Sequence, residues 1–381
     1  MISFLQEELT ELRAKDLYRK VRTLDPLQGA WARWKGRDLL LFCGNDYLGL
    51  SRHPRVLQAA REALESHGMG SGAARLISGS SGFHEKLETK IAAFKQKEKA
   101  LLFTAGYLAN LGILTALAAQ EDCIVMDKLC HASIIDGARL SGAQLRVFPH
   151  KNYERLEEIL KASSGFRKCL VVTDTVFSMD GDIADLETLG RLREKYGFML
   201  VVDDAHGTGV LGRQGRGATE GKISEKVDLV MGTLSKAAGC LGGFAAGSAE
   251  LIDYLTNFSR PFIYATSLPP VICASALEAL KVMEDEPAIR ERLWNNARVL
   301  HERLGTLGLQ LEPLTSPIIP IKIGPEKEAM RISQSLLEQG VLVPAIRTPT
   351  VPKGKARLRV TASALHEEKD IERLVLALKK I

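Results

Sequence analysis

Apolar residues along this chain gather into short runs, and longer stretches of helical periodicity separate the runs. Residues 100–103, 123–126, 145–148, 169–173, 199–203 and 229–232 are such runs, each bounded by turn formers. Apolar runs of this length without polar alternation predict strands buried on both faces. Between them, residues 53–67, 84–94, 106–119, 153–161 and 186–196 place apolar side chains three and four apart, which predicts helices. Buried strands alternating with helices predict an α/β fold with a mostly parallel central sheet covered by helices.

The pattern shifts after about residue 270. A long helical region at 271–307, broken near Pro287, leads into strand-like 318–323, a helix at 327–339, short strands at 341–343 and 357–360, and a terminal helix near 367–379. These pieces predict a smaller C-terminal α+β domain. At the other end, Leu5, Leu9, Leu12 and Val21 recur at roughly helical spacing, followed by a strand at 39–42. The expected organisation is an N-terminal segment (1–50) packing on the body or on a partner, a large domain (51–270) and a small domain (271–381).

Composition narrows the function. The 381 residues are 45% hydrophobic and 25% charged, which is ordinary for a globular chain. The net charge of +5 is spread among interleaved acids and bases, so no basic block marks a nucleic-acid partner. The slight excess would favour an anionic small molecule. No run reaches the roughly 18 apolar residues of a membrane span, so no membrane partner is expected. The first residues lack the basic and apolar regions of a signal peptide. Six cysteines (Cys43, Cys123, Cys130, Cys169, Cys240, Cys273) include no CxxC pair, and most lie in apolar runs. They read as reduced, buried small hydrophobes in a cytoplasmic protein.

Four segments carry candidate chemistry. Lys236 follows a buried strand within Thr233-Leu234-Ser235-Lys236-Ala237-Ala238-Gly239. A lysine in apolar surroundings loses its charge more easily, and a neutral amine is the nucleophile that a Schiff base needs. A solvated loop lysine is the bland alternative. Thr233-x-x-Lys236 is also similar to the Ser-x-x-Lys of penicillin-recognising enzymes, but the serine and the companion motifs are absent.

The second segment, Leu200-Val201-Val202-Asp203-Asp204-Ala205-His206-Gly207, runs a strand straight into two acids and a histidine. Ligands of open α/β sheets bind at the carboxyl ends of strands, where an acid can hold a protonated pyridine nitrogen. An acid capping the next turn is the ordinary alternative. A zinc site would need more His or Cys nearby, so no metal is expected. The third segment, Thr104-Ala105-Gly106-Tyr107, opens an apolar helix whose start suits a phosphate. The fourth is His131 in Leu129-Cys130-His131-Ala132-Ser133, just past a strand, where an imidazole could stack on a planar ring.

In wording and spacing these pieces resemble the α-oxoamine synthase family of fold-type I enzymes that use pyridoxal 5'-phosphate (PLP). The resemblance covers nearly the whole chain. It is carried by Asn45-Asp46-Tyr47-Leu48-Gly49-Leu50, Gly70-Ser71-Gly72, His131-Ala132-Ser133, Ser178-Met179-Asp180-Gly181-Asp182, Asp203-Asp204-Ala205-His206-Gly207 and Gly232-Thr233-Leu234-Ser235-Lys236. The resemblance implies PLP as the cofactor. Lys236 would be its covalent tether and proton carrier, and Asp203 would pair with the pyridinium nitrogen. His206 and Ser178 would lie at the phenolic oxygen, and His131 would stack on the ring. The backbone at Gly106 and Tyr107, with the hydroxyls of Thr233 and Ser235, would hold the phosphate. Thr266 would reach the phosphate of a neighbouring subunit, which implies a homodimer with shared active sites. Arg359 would bind the amino-acid carboxylate, and Arg19, Asn45 and Thr350 would meet the acyl substrate.

Two segments sharpen the implied activity. Arg347-Thr348-Pro349-Thr350-Val351-Pro352 with Ala356-Arg357-Leu358-Arg359-Val360-Thr361, and the stretch from His131 to Gly142, resemble the branch that condenses L-alanine with pimeloyl-CoA or a related pimeloyl thioester in biotin biosynthesis. Arg75 also occurs in relatives that use glycine, which keeps condensation of glycine with acetyl-CoA as an alternative. A non-catalytic PLP-binding protein is the third reading. Such chains usually lose the lysine or add a DNA-binding module, whereas this chain has Lys236 and no basic arm.

Overall fold

The computed structural model describes residues 3–15 and 17–381. It divides into two compact units. Asn45–Arg292 forms one, and the residues up to Gly44 form the other with Leu293–Ile381.

The larger unit is built on a seven-stranded sheet. Its strands are β1 (Lys99–Phe103), β2 (Cys123–Asp127), β3 (Gln144–Phe148), β4 (Cys169–Asp174), β5 (Met199–Asp203), β6 (Leu229–Thr233) and β7 (Gly243–Gly247). The order across the sheet is β1-β7-β6-β5-β4-β2-β3. Only β7 runs against the rest, pairing antiparallel with β1 and β6, so the expected mostly parallel sheet is present. The apolar runs became strands because each feeds two cores. Ile124, Met126, Leu170, Val172, Val201, Leu229 and Met231 face one layer of helices. Their neighbours Cys123, Val125, Val171, Leu200, Val202 and Val230 face the other. This period of two is that of a strand buried on both sides.

Helices α1 (Pro54–His67), α2 (Gly82–Phe94), α3 (Gly106–Leu117) and α4 (Ala132–Leu140) precede or follow the first strands. Helix α3 is buried along most of its length, which explains its lack of a polar stripe. Strand β7 was not expected from the sequence. Its Gly-Phe-Ala-Ala-Gly composition has low strand propensity, and pairing on both sides supplies what propensity does not. Gly232 on β6 faces Phe244 on β7, and a Cβ there would come within 2.2 Å of the phenyl ring. The close approach of these strands therefore requires the glycine.

The smaller unit contains two little sheets. Strands Trp31–Trp34 and Arg37–Leu41 form a hairpin, and the second pairs in parallel with Val341–Leu342. Ile318–Gly324 runs antiparallel to Ala356–Thr361, which also pairs with Ala345–Ile346. The hairpin explains why the N-terminal segment groups with the C-terminal one: its backbone hydrogen bonds are made there. The other difference from the expected boundaries lies near residue 270. Helix Pro270–Asp285 buries Val271 and Ala274 against Ala63 of α1, so it belongs to the larger unit. The division falls after Arg292, inside helix Pro287–Gly305. The first helix, Ser3–Ala14, leaves Phe4, Leu5 and Leu9 exposed. No described helix is long and apolar enough to cross a membrane.

Candidate active site

Five strands of the larger unit deliver residues to one cavity of about 220 Å³ at their carboxyl ends. Gly106 and Tyr107 follow β1, and His131 and Ser133 follow β2. Asp174 ends β4, Asp203 ends β5 with His206 just beyond, and Thr233, Ser235 and Lys236 end and follow β6. Carboxyl ends are where the side chains of parallel strands fan out with no further strand to cover them. Eight predicted residues thus line one space. A larger cavity, about 670 Å³, lies at the amino ends of the same strands, lined by Lys97, Lys168, Met199 and Val227 among others. None of the predicted residues lines it. Among the described residues, no group of three or more His, Cys, Asp or Glu side chains could hold a metal ion.

The two adjacent acids take opposite parts because successive strand residues point to opposite faces. Asp204 is fully buried. It accepts from Lys95 Nζ at 2.7 Å and Thr175 Oγ1 at 2.6 Å, and it braces the following loop. Asp203 lines the cavity, accepting from Asn110 Nδ2 at 2.8 Å and from the Ala205 backbone N–H at 2.9 Å. These fixed donors hold a carboxylate in place without neutralising it. Beside it in register lies Asp174, whose carboxylate accepts the His131 N–H at 2.8 Å. Burial, with the Asp203 charge adding, pushes the Asp174 carboxyl well above the usual range. Of two carboxyls this close, one keeps its proton most cheaply.

His131 caps α4, with its Nδ1 2.7 Å from Ser133 Oγ. Burial lowers its pKa, the Lys236 charge adds to that, and Asp203 and Asp136 oppose it. His206 is buried, and its Nδ1 lies 2.8 Å from the Tyr47 hydroxyl, which also donates to Asn45 Oδ1 at 3.4 Å. Tyr47 and Ser133 lie in segments that carried the resemblance but were given no role, and Asn110 and Asp174 were not picked out from the sequence. Asp174 had a signal: it is the one charged residue on a strand of otherwise uncharged side chains.

The remaining predicted residues lie elsewhere. Ser178 is half-buried in the turn after β4. Thr266 sits in a separate cleft with Arg75 and His84, and its backbone bridges to Ala74. In the smaller unit, Arg359 is buried on strand Ala356–Thr361, Thr350 lies in an exposed turn, and Arg19 is exposed in a stretch without regular structure. Arg75 donates to both Glu88 oxygens at 2.8 and 2.9 Å and to Ser80 Oγ.

The cavity fits PLP on its own terms. Helix α3 starts at Gly106 with no side chain capping its N–H groups, which is an anion site in waiting. The Thr233 and Ser235 hydroxyls, 2.8 Å apart, stand beside it. A Cβ on Gly106 would come within 3.2 Å of Thr233 Cβ and 3.1 Å of Met231 Cε, so a side chain there would crowd the Thr233 side of the helix start. Asp203 can meet a protonated ring nitrogen, and Lys236 supplies the amine.

The class I and II aminotransferase family matches residues 37–378, and the chain belongs to it. The fold is that of a fold-type I PLP transferase, and PLP is the cofactor. The chain matches a serine palmitoyltransferase from S. paucimobilis with bound PLP–myriocin at a TM-score of 0.94, 31% identity and coverage of 100% and 96% of the two chains. Proteins described as 8-amino-7-oxononanoate synthase are similar throughout: that of Bacillus pumilus is 43% identical over 99% of this chain and 97% of its own. That of Citrifermentans bemidjiense is 47% identical over 96% and 95%. A solved 8-amino-7-oxononanoate synthase from Francisella tularensis matches with a TM-score of 0.77 and 31% identity over 90% and 97%.

Proposed function

We propose that the chain is a PLP-dependent acyltransferase that condenses L-alanine with pimeloyl-CoA, or a related pimeloyl thioester, to 8-amino-7-oxononanoate with release of CO2 and the thiol. Identity of 42–47% along nearly the full chain with relatives of that name carries the reading. That reading assigns the protein to biotin biosynthesis, and its six unpaired cysteines would suit a reducing, cytoplasmic compartment. Glycine with acetyl-CoA is not favoured. Arg75, the residue that suggested it, is locked in a two-point ion pair with Glu88.

Bound PLP supplies an electron sink for the pair left when the alanine Cα loses its proton. Lys236 would tether the cofactor, and its free amine would take the alanine Cα proton and later return one. Asp203 keeps the ring nitrogen protonated, because Asn110 and the Ala205 N–H hold its carboxylate in place. His206, anchored by Tyr47, would lie at the phenolic oxygen, with Ser178 beside it. The N–H groups of Gly106 and Tyr107 and the Thr233 and Ser235 hydroxyls would hold the phosphate. His131 would cover the ring and, as a hydrogen-bond donor, would polarise the ketone oxygen of the substrate. Arg359 takes the alanine carboxylate as a bidentate partner, and Arg19, Asn45 and Thr350 receive the acyl chain. In the homodimer, Thr266 of one copy completes the phosphate site of the other.

A mass-spectrometric product assay with L-alanine and pimeloyl-CoA tests the reaction directly; a product from glycine and acetyl-CoA alone would replace it. Lys236→Ala should abolish both turnover and the covalently bound cofactor's absorbance. Full activity in that variant would sink the assignment.

A further inference from the structure

Asn110 and Ser133 join His131 to Asp203 in one hydrogen-bonded chain, and its donors can be counted. A carboxylate offers only acceptors, so the Asn110 amide must turn its NH2 towards Asp203, 2.8 Å away. The same nitrogen lies 2.9 Å from Ser133 Oγ, which is thereby an acceptor. The buried Ser133 hydroxyl has one other neighbour, His131 Nδ1 at 2.7 Å, and accepting from it as well would leave the hydroxyl proton without a partner, so that proton goes to Nδ1. The Ser133 backbone N–H donates to the same nitrogen at 3.3 Å. With two donors aimed at it, Nδ1 has no place for a proton.

We infer that Asn110 and Ser133 are positioning residues that fix His131 as the neutral tautomer protonated on Nε2, so that the ring offers a hydrogen-bond donor in the cavity. Asn110, Ser133 and Asp203 are all nearly inaccessible to water, so reversing the chain would strand a buried donor or acceptor. Burial also disfavours the doubly protonated ring. The charged and polar groups facing His131 are Asp203, Lys236, Asp136 and Asp174, with the edge of the Tyr107 ring beside it. A ring fixed in this form can donate to a ketone oxygen that gains charge, and it leaves proton abstraction to Lys236. This use, though not the tautomer, rests on the proposed condensation.

The test is nitrogen NMR of the full chain carrying 15N-labelled histidine, without substrate and both with and without PLP, with the His131 signals assigned by a His131→Asn variant. The wild type should show one tautomer, with Nε2 protonated and Nδ1 bare. Asn110→Leu should let Ser133 turn and accept from Nδ1, shifting the tautomer ratio by about tenfold, the worth of one hydrogen bond. Ser133→Ala, which removes the hydroxyl alone, should shift it the same way and guards against a failure of Asn110→Leu to fold. A wild-type Nδ1–H ring, or a ratio that neither folded variant moves, overturns the inference. An inactive chain with the Nε2–H ring would refute the condensation and leave the tautomer standing. An active chain with a mixed tautomer would do the reverse.

Discussion

At the scale of single residues, the chemistry-bearing types were legible where they broke an apolar pattern beside glycine. Asp203, His206 and Lys236 each follow a run of buried strand residues, and their positions announce a site before any geometry is known. Asn110 escaped notice because helix propensity and periodicity say nothing about one amide among leucines; only its partners explain it. His150 is a second residue of this kind. Burial pushes its pKa down, but hydrogen bonds to Asp127 and Asp182 outweigh that and raise it to about 9. Because the folded value is raised, its contribution to stability is fully present below about pH 6.5 and is lost as pH rises through 9. The loss should be on the order of 2–3 kcal/mol between those limits. Urea unfolding midpoints at the two pH values would measure it, and His150→Gln should flatten the difference.

Secondary elements were read well where one period dominated and poorly where small residues did the packing. Four of the five parallel runs after residue 120 were found because both their faces are apolar, and the edge run at 145–148 because Leu145 and Phe148 still feed the two cores. Strand β7 was missed because Gly243, Ala245 and Ala246 signal nothing until two neighbouring strands close on them. The start of α3 shows the same economy of volume. Replacing Gly106 by Val would fill the space between the helix start and Thr233. PLP affinity, followed by absorbance titration, should fall by at least about tenfold, while the melting temperature changes little. An unchanged affinity would place the phosphate elsewhere.

At the scale of the whole molecule, the sequence located the two kinds of architecture but not the thread between them. The parallel pairing of Arg37–Leu41 with Val341–Leu342 joins residues three hundred positions apart, a register that no local pattern encodes. Exposed apolar residues raise a further expectation. Leu76, Ile77 and Tyr264 lie within a few residues of the Ala74–Thr266 bridge, and each is more than half exposed in a single chain. Apolar groups so placed fit a second copy. Sedimentation should give twice the mass of one chain, and Ile77→Asp with Tyr264→Asp should lower it to one while weakening PLP binding. A dimer unmoved by both changes would put the interface on another face.

The pairing of Arg75 with Glu88 bears on how such an enzyme can diverge. Each side chain is mostly buried, so changing one strands the other as a lone charge in poor solvent. Any lineage that alters this corner must pass through a weakened single mutant or change both codons together. The pair therefore acts as a ratchet on descent, and its persistence in relatives of differing substrate would report shared ancestry rather than shared diet.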